Sequence, residues 1–198
     1  INGTGSGRYV KGTEVTIEAN VSQDPEKVFD RWVVAEGDAA NTNPESATTT
    51  VTTNGVATIE ATYKDRLHTL TVENGTGSGN YKNEAVVDIT ANEAPADKKF
   101  DHWEIVVGNG TFEDSTSATT KFITSNEATT LRAVYVDIPY SVTVEGGSIV
   151  DPSDEGYVVG TTITLKADVP EHQQFVHWEI VSGSGTFENE ADANSKFT

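Results

Sequence analysis

Hydrophobic and polar residues alternate with a period of two along most of the chain. This is the pattern of strands with one face buried. In the central stretch Leu70 and Val72 share a face, and the turn Glu73-Asn74-Gly75-Thr76-Gly77-Ser78-Gly79 leads to Tyr81. The next strand places Val87, Ile89 and Ala91 inward, with Asp88 and Thr90 outward. A third carries Trp103, Ile105 and Val107 on one face, with His102 and Glu104 on the other. Phe100 lies three residues before Trp103, so a regular strand would point the two rings to opposite faces. The sequence therefore places Phe100 in the entering loop or calls for a bulge that re-aims it. A polar stretch, Asp114-Ser115-Thr116-Ser117, leads to a short strand at Phe122, and a closing strand carries Leu131, Ala133 and Tyr135 inward. That makes five strands, with no helical periodicity.

The same pattern is written three times. Phe100-Asp101-His102-Trp103-Glu104-Ile105-Val106 recurs as Phe175-Val176-His177-Trp178-Glu179-Ile180-Val181, and more loosely as Phe29-Asp30-Arg31-Trp32-Val33-Val34. The three Trp residues stand 71 and 75 positions apart. Val15, Ile17, Ala19 and Ile163, Leu165, Ala167 repeat the second strand, and Asn2 to Gly7 with Tyr9 repeats Asn74 to Gly79 with Tyr81. Gly108-Asn109-Gly110-Thr111-Phe112-Glu113 matches Gly183-Ser184-Gly185-Thr186-Phe187-Glu188, but the first copy has Asn41 where the others have Phe112 and Phe187. Such self-similarity marks a repeat architecture.

The copies read as 1–65, 66–137 and 138–198, joined through Lys64-Asp65-Arg66 and Val136-Asp137-Ile138-Pro139. The first lacks the opening strand seen at Thr69–Val72 and Ser141–Val144. The third lacks the closing strand seen at Thr58–Tyr63 and Thr130–Tyr135. The expectation is an all-β chain of three tandem five-stranded modules, sandwich-like with β-grasp as the alternative, strung into an elongated rod with incomplete first and last copies. If strands were exchanged between copies, Leu70-Thr71-Val72 or Ile59 to Tyr63 would pair outside its own copy.

Composition narrows the function. The 198 residues hold 31 acidic and 13 basic side chains, for a net charge of −18. That charge repels nucleic acid and anionic membranes, so neither is an expected partner. No apolar run approaches the length of a membrane-spanning helix, about 20 residues. Cys is absent, so disulfides, thiolate metal sites and cysteine nucleophiles are excluded. The absence of Met predicts that the chain lies inside a longer protein.

The ordered set Leu70-x-Val72, the Gly-rich turn, Tyr81, Val87-x-Ile89-x-Ala91, Phe100-x-x-Trp103 and Leu131-x-Ala133-x-Tyr135 resembles the divergent branch of the internalin-type B-repeats, also called Listeria–Bacteroides repeats. The resemblance covers the whole chain. It implies tandem modules of bacterial surface or secreted proteins, often carried on a cell-wall anchor, with a stalk or adhesion role. The better-known branch has a β-grasp fold with a short helix. Residues 93–97, Glu-Ala-Pro-Ala-Asp, carry no helical pattern, which favours the sandwich.

Candidate chemistry is sparse. Gly3 to Gly7 and Gly75 to Gly79 look like phosphate loops but run into strands rather than a helix N-terminus, so they read as turns. Asp101-His102 could form half of a catalytic dyad, but the sequence offers no nucleophile motif beside it, and the first copy has Arg31 at the histidine position. His68, His102, His172 and His177 would have to gather from separate modules to bind zinc. The acidic loop Asp151-Pro152-Ser153-Asp154-Glu155 lacks the alternating carboxylates of a calcium loop. Asn2, Asn74 and Asn109 begin glycosylation sequons in Asn-Gly turns. The aromatic residues fall at repeated core positions, which argues against a sugar platform. The reading is a non-enzymatic spacer or stalk with no catalytic, cofactor or metal residues and no cofactor. It is expected to be extracellular, cell-wall attached or secreted, and monomeric, with any host protein or glycan bound through other parts of the parent protein. The alternative is a carbohydrate- or host-protein-binding module whose ligand is read by loops that vary between copies, such as Val150 to Ser153.

Overall fold

The computed structural model describes residues 2–198. Fifteen strands and no helix occur among them. They pack as two compact units, one of residues up to Ala91 with Trp103–Ala133, the other of Asn92–His102 with Val134–Thr198.

The second repeat shows the plan most fully. Its strands are β5 (His68–Glu73), β6 (Gly75–Thr76), β7 (Gly79–Tyr81), β8 (Val86–Ala91), β9 (Lys98–Val107), β10 (Gly110–Phe112), β11 (Thr119–Thr124) and β12 (Thr129–Asp137), following β1 to β4 of the first repeat. Five of these eight are the strands expected from the sequence; β6, β7 and β10 are two or three residues long and carry too little pattern to be read. They form two four-stranded sheets, ordered β10-β11-β8-β6 and β7-β5-β12-β9. Alternation places Leu70, Val72, Val87, Ile89, Phe122, Leu131 and Ala133 inside, all buried. β5 and β12 run parallel, with Thr129 opposite Leu70 and Leu131 opposite Val72. A parallel pair needs a long crossover; here the whole first sheet supplies it. The Leu70–Val72 segment pairs with β7 and β12 of its own repeat, which overturns strand exchange.

The first repeat uses four strands, β1 (Gly3–Thr4), β2 (Glu14–Ala19), β3 (Lys27–Asn41) and β4 (Thr48–Asp65), in one sheet ordered β1-β2-β4-β3. β3 covers the positions of β9 and β10, and β4 those of β11 and β12, so two pairs of strands are fused into one long hairpin. The Ile59–Tyr63 segment pairs with β3, again within its own repeat. Of the two alternatives the Phe-x-x-Trp spacing left open, an entering loop or a bulge, the first repeat takes the bulge: the register shifts between Phe29 and Arg31. It brings the Phe29 and Trp32 rings to 5.9 Å between centroids. A second shift, between Val34 and Glu36, falls at the repeat position of Ile105–Val107. Val107 itself is 60% exposed, so the inward face expected of Trp103, Ile105 and Val107 ends before its last member.

In the third repeat β13 (Gly147–Ile149), β14 (Ile163–Ala167) and β15 (Lys196–Phe197) rebuild the first sheet. Of the second sheet only the Tyr140–Tyr157 bridge is present, at the position of His68 and Tyr81. Residues 142–145 and 174–181 form no strand. In the second repeat these positions belong to β5 and β9, and the opening strand expected over Ser141–Val144 does not form.

Candidate functional site

Each repeat is locked by its Trp. The indole of Trp32 is 6% exposed, of Trp103 2% and of Trp178 8%. Their indole N–H groups donate to Ala47 O (3.3 Å), Ser117 O (3.2 Å) and Asp192 O (3.0 Å). Their backbone N–H groups donate to Pro44 O, Ser115 O and Glu190 O, each at 2.8 Å. The ring edge rests on a glycine of the facing strand: a Cβ on Gly3, Gly75 or Gly147 would stand 2.5–2.6 Å from the Trp Cη2 atom. The glycine that reads as a turn residue is therefore a strand residue kept bare for the indole. These rings are not available as a sugar platform.

The Gly-rich turns serve the fold in another way. Tyr9 and Tyr81 donate their hydroxyls to Gly5 O and Gly77 O, both at 3.0 Å. Asn74 has φ 58°, the left-handed conformation that Asn tolerates. Its Nδ2 donates to Ala133 O at 3.3 Å, so the sequon nitrogen is tied to the backbone.

The histidines do not converge. His102 Nδ1 is 2.7 Å from Asp101 Oδ2 on a half-exposed surface. His177 is exposed. His172 is 91% exposed beside Glu171. Among the described residues no group of three or more His, Asp or Glu side chains stands close enough to hold a metal ion. The acidic loop Asp151–Glu155 is exposed throughout; Ser153 N donates to Tyr157 Oη at 3.0 Å.

The joints between repeats are built alike, with the Lys–Asp pair kept and the surrounding side chains changed. Arg66 N donates to Glu26 O at 2.7 Å, and Ile138 N to Asp97 O at 2.8 Å. Lys27 pairs with Asp65, and Lys98 with Asp137. The Lys27 hydrogen bond holds the Asp65 carboxyl below the usual aspartate range. Glu26 Oε2 lies 2.9 Å from His68 Nε2, and at the matching place Tyr140 donates its hydroxyl to Asp97 Oδ1 at 3.0 Å. That bond, then burial and the Asp97 charge, raises the Tyr140 phenol above its ordinary value.

One concavity stands out in the first repeat. A groove of about 930 Å³ runs between the Gly3–Tyr9 segment and Ala57–Ala61 of β4, over a floor that includes Ile17 and Trp32.

A sheet rebuilt in each copy, a Trp lock in each and repeated joints define a tandem array of small all-β modules. The chain belongs to the divergent InlB B-repeat domain family, whose model matches residues 1–67, 68–139 and 140–198 in tandem. Repeats of this family are associated with bacterial surface and secreted proteins and are generally non-catalytic. No curated protein and no solved structure matches the chain.

Proposed function

We propose that this chain is a non-catalytic spacer of a bacterial cell-surface or secreted protein, serving adhesion by carrying a binding region away from its point of attachment. The observation that carries this reading is where the repeated residues go. Trp32, Trp103 and Trp178, the glycines beneath them and the turn tyrosines are all used to build the module. What recurs is scaffold. In tandem arrays each unit contacts only its neighbours, so copies can be added without redesign. The acidic surface keeps such a segment soluble and apart from nucleic acid and anionic lipid. The segment is extracellular in this reading, acts as a monomer, takes no cofactor and leaves host protein or glycan to other parts of its parent.

The test is a replacement in the parent protein on living cells. Deleting residues 1–198 should impair adhesion, and inserting an unrelated β-repeat segment of equal span should restore it. Failure of the replacement, together with direct capture of a glycan or host protein by the isolated chain, would favour the binding-module reading instead.

A further inference from the structure

The second repeat opens on β5 and closes on β12, and these two strands are neighbours that run parallel. Thr129 pairs with Leu70, Thr130 with Thr71, Leu131 with Val72 and Arg132 with Glu73. The rest of the repeat, the whole first sheet included, lies between them in the chain and therefore behind this one ladder. A pull along the chain enters β5 at its N-terminal end and leaves β12 at its C-terminal end. On a parallel pair those two forces point in opposite directions along the strands. The ladder is loaded in shear, and the hydrogen bonds that cross it are strained together rather than one after another.

The same two strands are tied outside the ladder. Leu70 and Val72 of β5 and Leu131 and Ala133 of β12 are buried, which keeps water from that face of the pair. On the other face Arg132 Nε lies 2.7 Å from Oε2 of Glu73, the residue opposite it, and Arg132 Nη1 lies 3.2 Å from Glu104 Oε1 of β9. Asn74, one residue beyond β5, donates from Nδ2 to Ala133 O at 3.3 Å. β7 holds the other edge of β5, and Val72 N donates to Ser78 Oγ at 2.8 Å. Sliding β5 along β12 breaks the ladder, the ion pair and the Asn74 bond at once. Parting the strands from one end breaks them in succession.

We propose that the β5–β12 ladder is a mechanical clamp, and that the second repeat bears tension as well as setting a distance. The use of such a clamp rests on the spacer reading: a segment that carries a binding region also transmits the pull on whatever is bound. Forced unfolding is governed by the barrier to unfolding rather than by equilibrium stability. A ladder in shear raises that barrier against a pull along the strands, which is the direction a tethered chain experiences.

The test is single-molecule force spectroscopy on the 198-residue chain. It has no Cys, and Leu67, Glu127 and Pro139 are exposed, so handles can be attached at these places. Leu67→Cys with Pro139→Cys pulls the ladder in shear. Leu67→Cys with Glu127→Cys pulls the same two strands apart from one end. At equal loading rate the first variant should give way in a single event, at a force up to about four times that of the second, because four residue pairs yield together instead of singly. A force equal to or below that of the second variant, or extension in a series of small steps, would overturn the proposal. Neither outcome touches the replacement test on cells: a clamp that fails leaves the spacer reading standing, and a replacement that fails leaves the measured clamp as it is.

Discussion

Gly110 lies directly beneath the ring of Phe122: a Cβ added to it would stand 2.1 Å from Phe122 Cζ. Gly185 and Phe197 repeat the relationship at the same distance. In the first repeat the positions hold Ala39 and Val51, a larger residue facing a smaller one. The module thus tolerates either partition of the same space and not two large residues at once, as expected of a close-packed interior.

Gly110→Ala should therefore destabilise the second repeat by about 1–3 kcal/mol through overpacking, with added strain because Gly110 has φ 150°. In Gly110→Ala with Phe122→Val the two effects should be less than additive, with a coupling of at least about 0.5 kcal/mol. Chemical denaturation of the four members of the cycle measures it. Strict additivity would show that the ring does not restrict the glycine.

Asn41 stands where the other repeats have Phe112 and Phe187, each paired ring to ring with Phe122 or Phe197 at 5.0 Å. Its Oδ1 accepts from Thr49 Oγ1 and Asn43 N, but its Nδ2 is buried with no partner. An unsatisfied buried donor costs about 1–3 kcal/mol. Asn41→Phe, which copies the other repeats, should raise the stability of the first repeat by about 1 kcal/mol. A fall in its melting temperature would contradict this account.

Trp103→Ala removes a ring that rests on Gly75 and leaves Ser117 O without its indole donor. The loss should be about 3–5 kcal/mol. Calorimetry should show the transition of the second repeat collapsing. Trp103→Phe keeps much of the ring volume but not the N–H, and should lie between the mutant and the parent. Equal losses for both would place the whole effect in the hydrogen bond.

The Asp97–Tyr140 bond sets an alkaline limit on the second joint. Because the folded-state phenol titrates above its ordinary value, its contribution to stability is fully present below that value and disappears as pH rises through the raised one. Spectrophotometric titration should show a tyrosine that ionises late. Tyr140→Phe should remove it, and Asp97→Asn should bring it back towards the others. A titration unchanged by Asp97→Asn would mean that the bond does not control the phenol.

Alternation and repetition, which are properties of the chain itself, were enough to mark the five long strands of the second repeat, the three copies, the single Trp in each core and a break, loop or bulge, in the Phe-x-x-Trp segment. Each follows from a local rule: side chains alternate on a strand, and a spacing of three cannot keep two rings on one face without an extra residue. The short strands β6, β7 and β10, the parallel pairing of β5 with β12 and the fusion of β3 and β4 depend on which backbone edges meet, and edges carry no sequence signature. The same holds for the candidate site. The sequence shows a glycine-rich stretch near the start of each copy and reads it as a turn. Only the tertiary structure decides that Gly3, Gly75 and Gly147 are kept bare for the Trp rings, because which ring meets which backbone is settled by packing between strands distant in the chain rather than by the residues around each glycine.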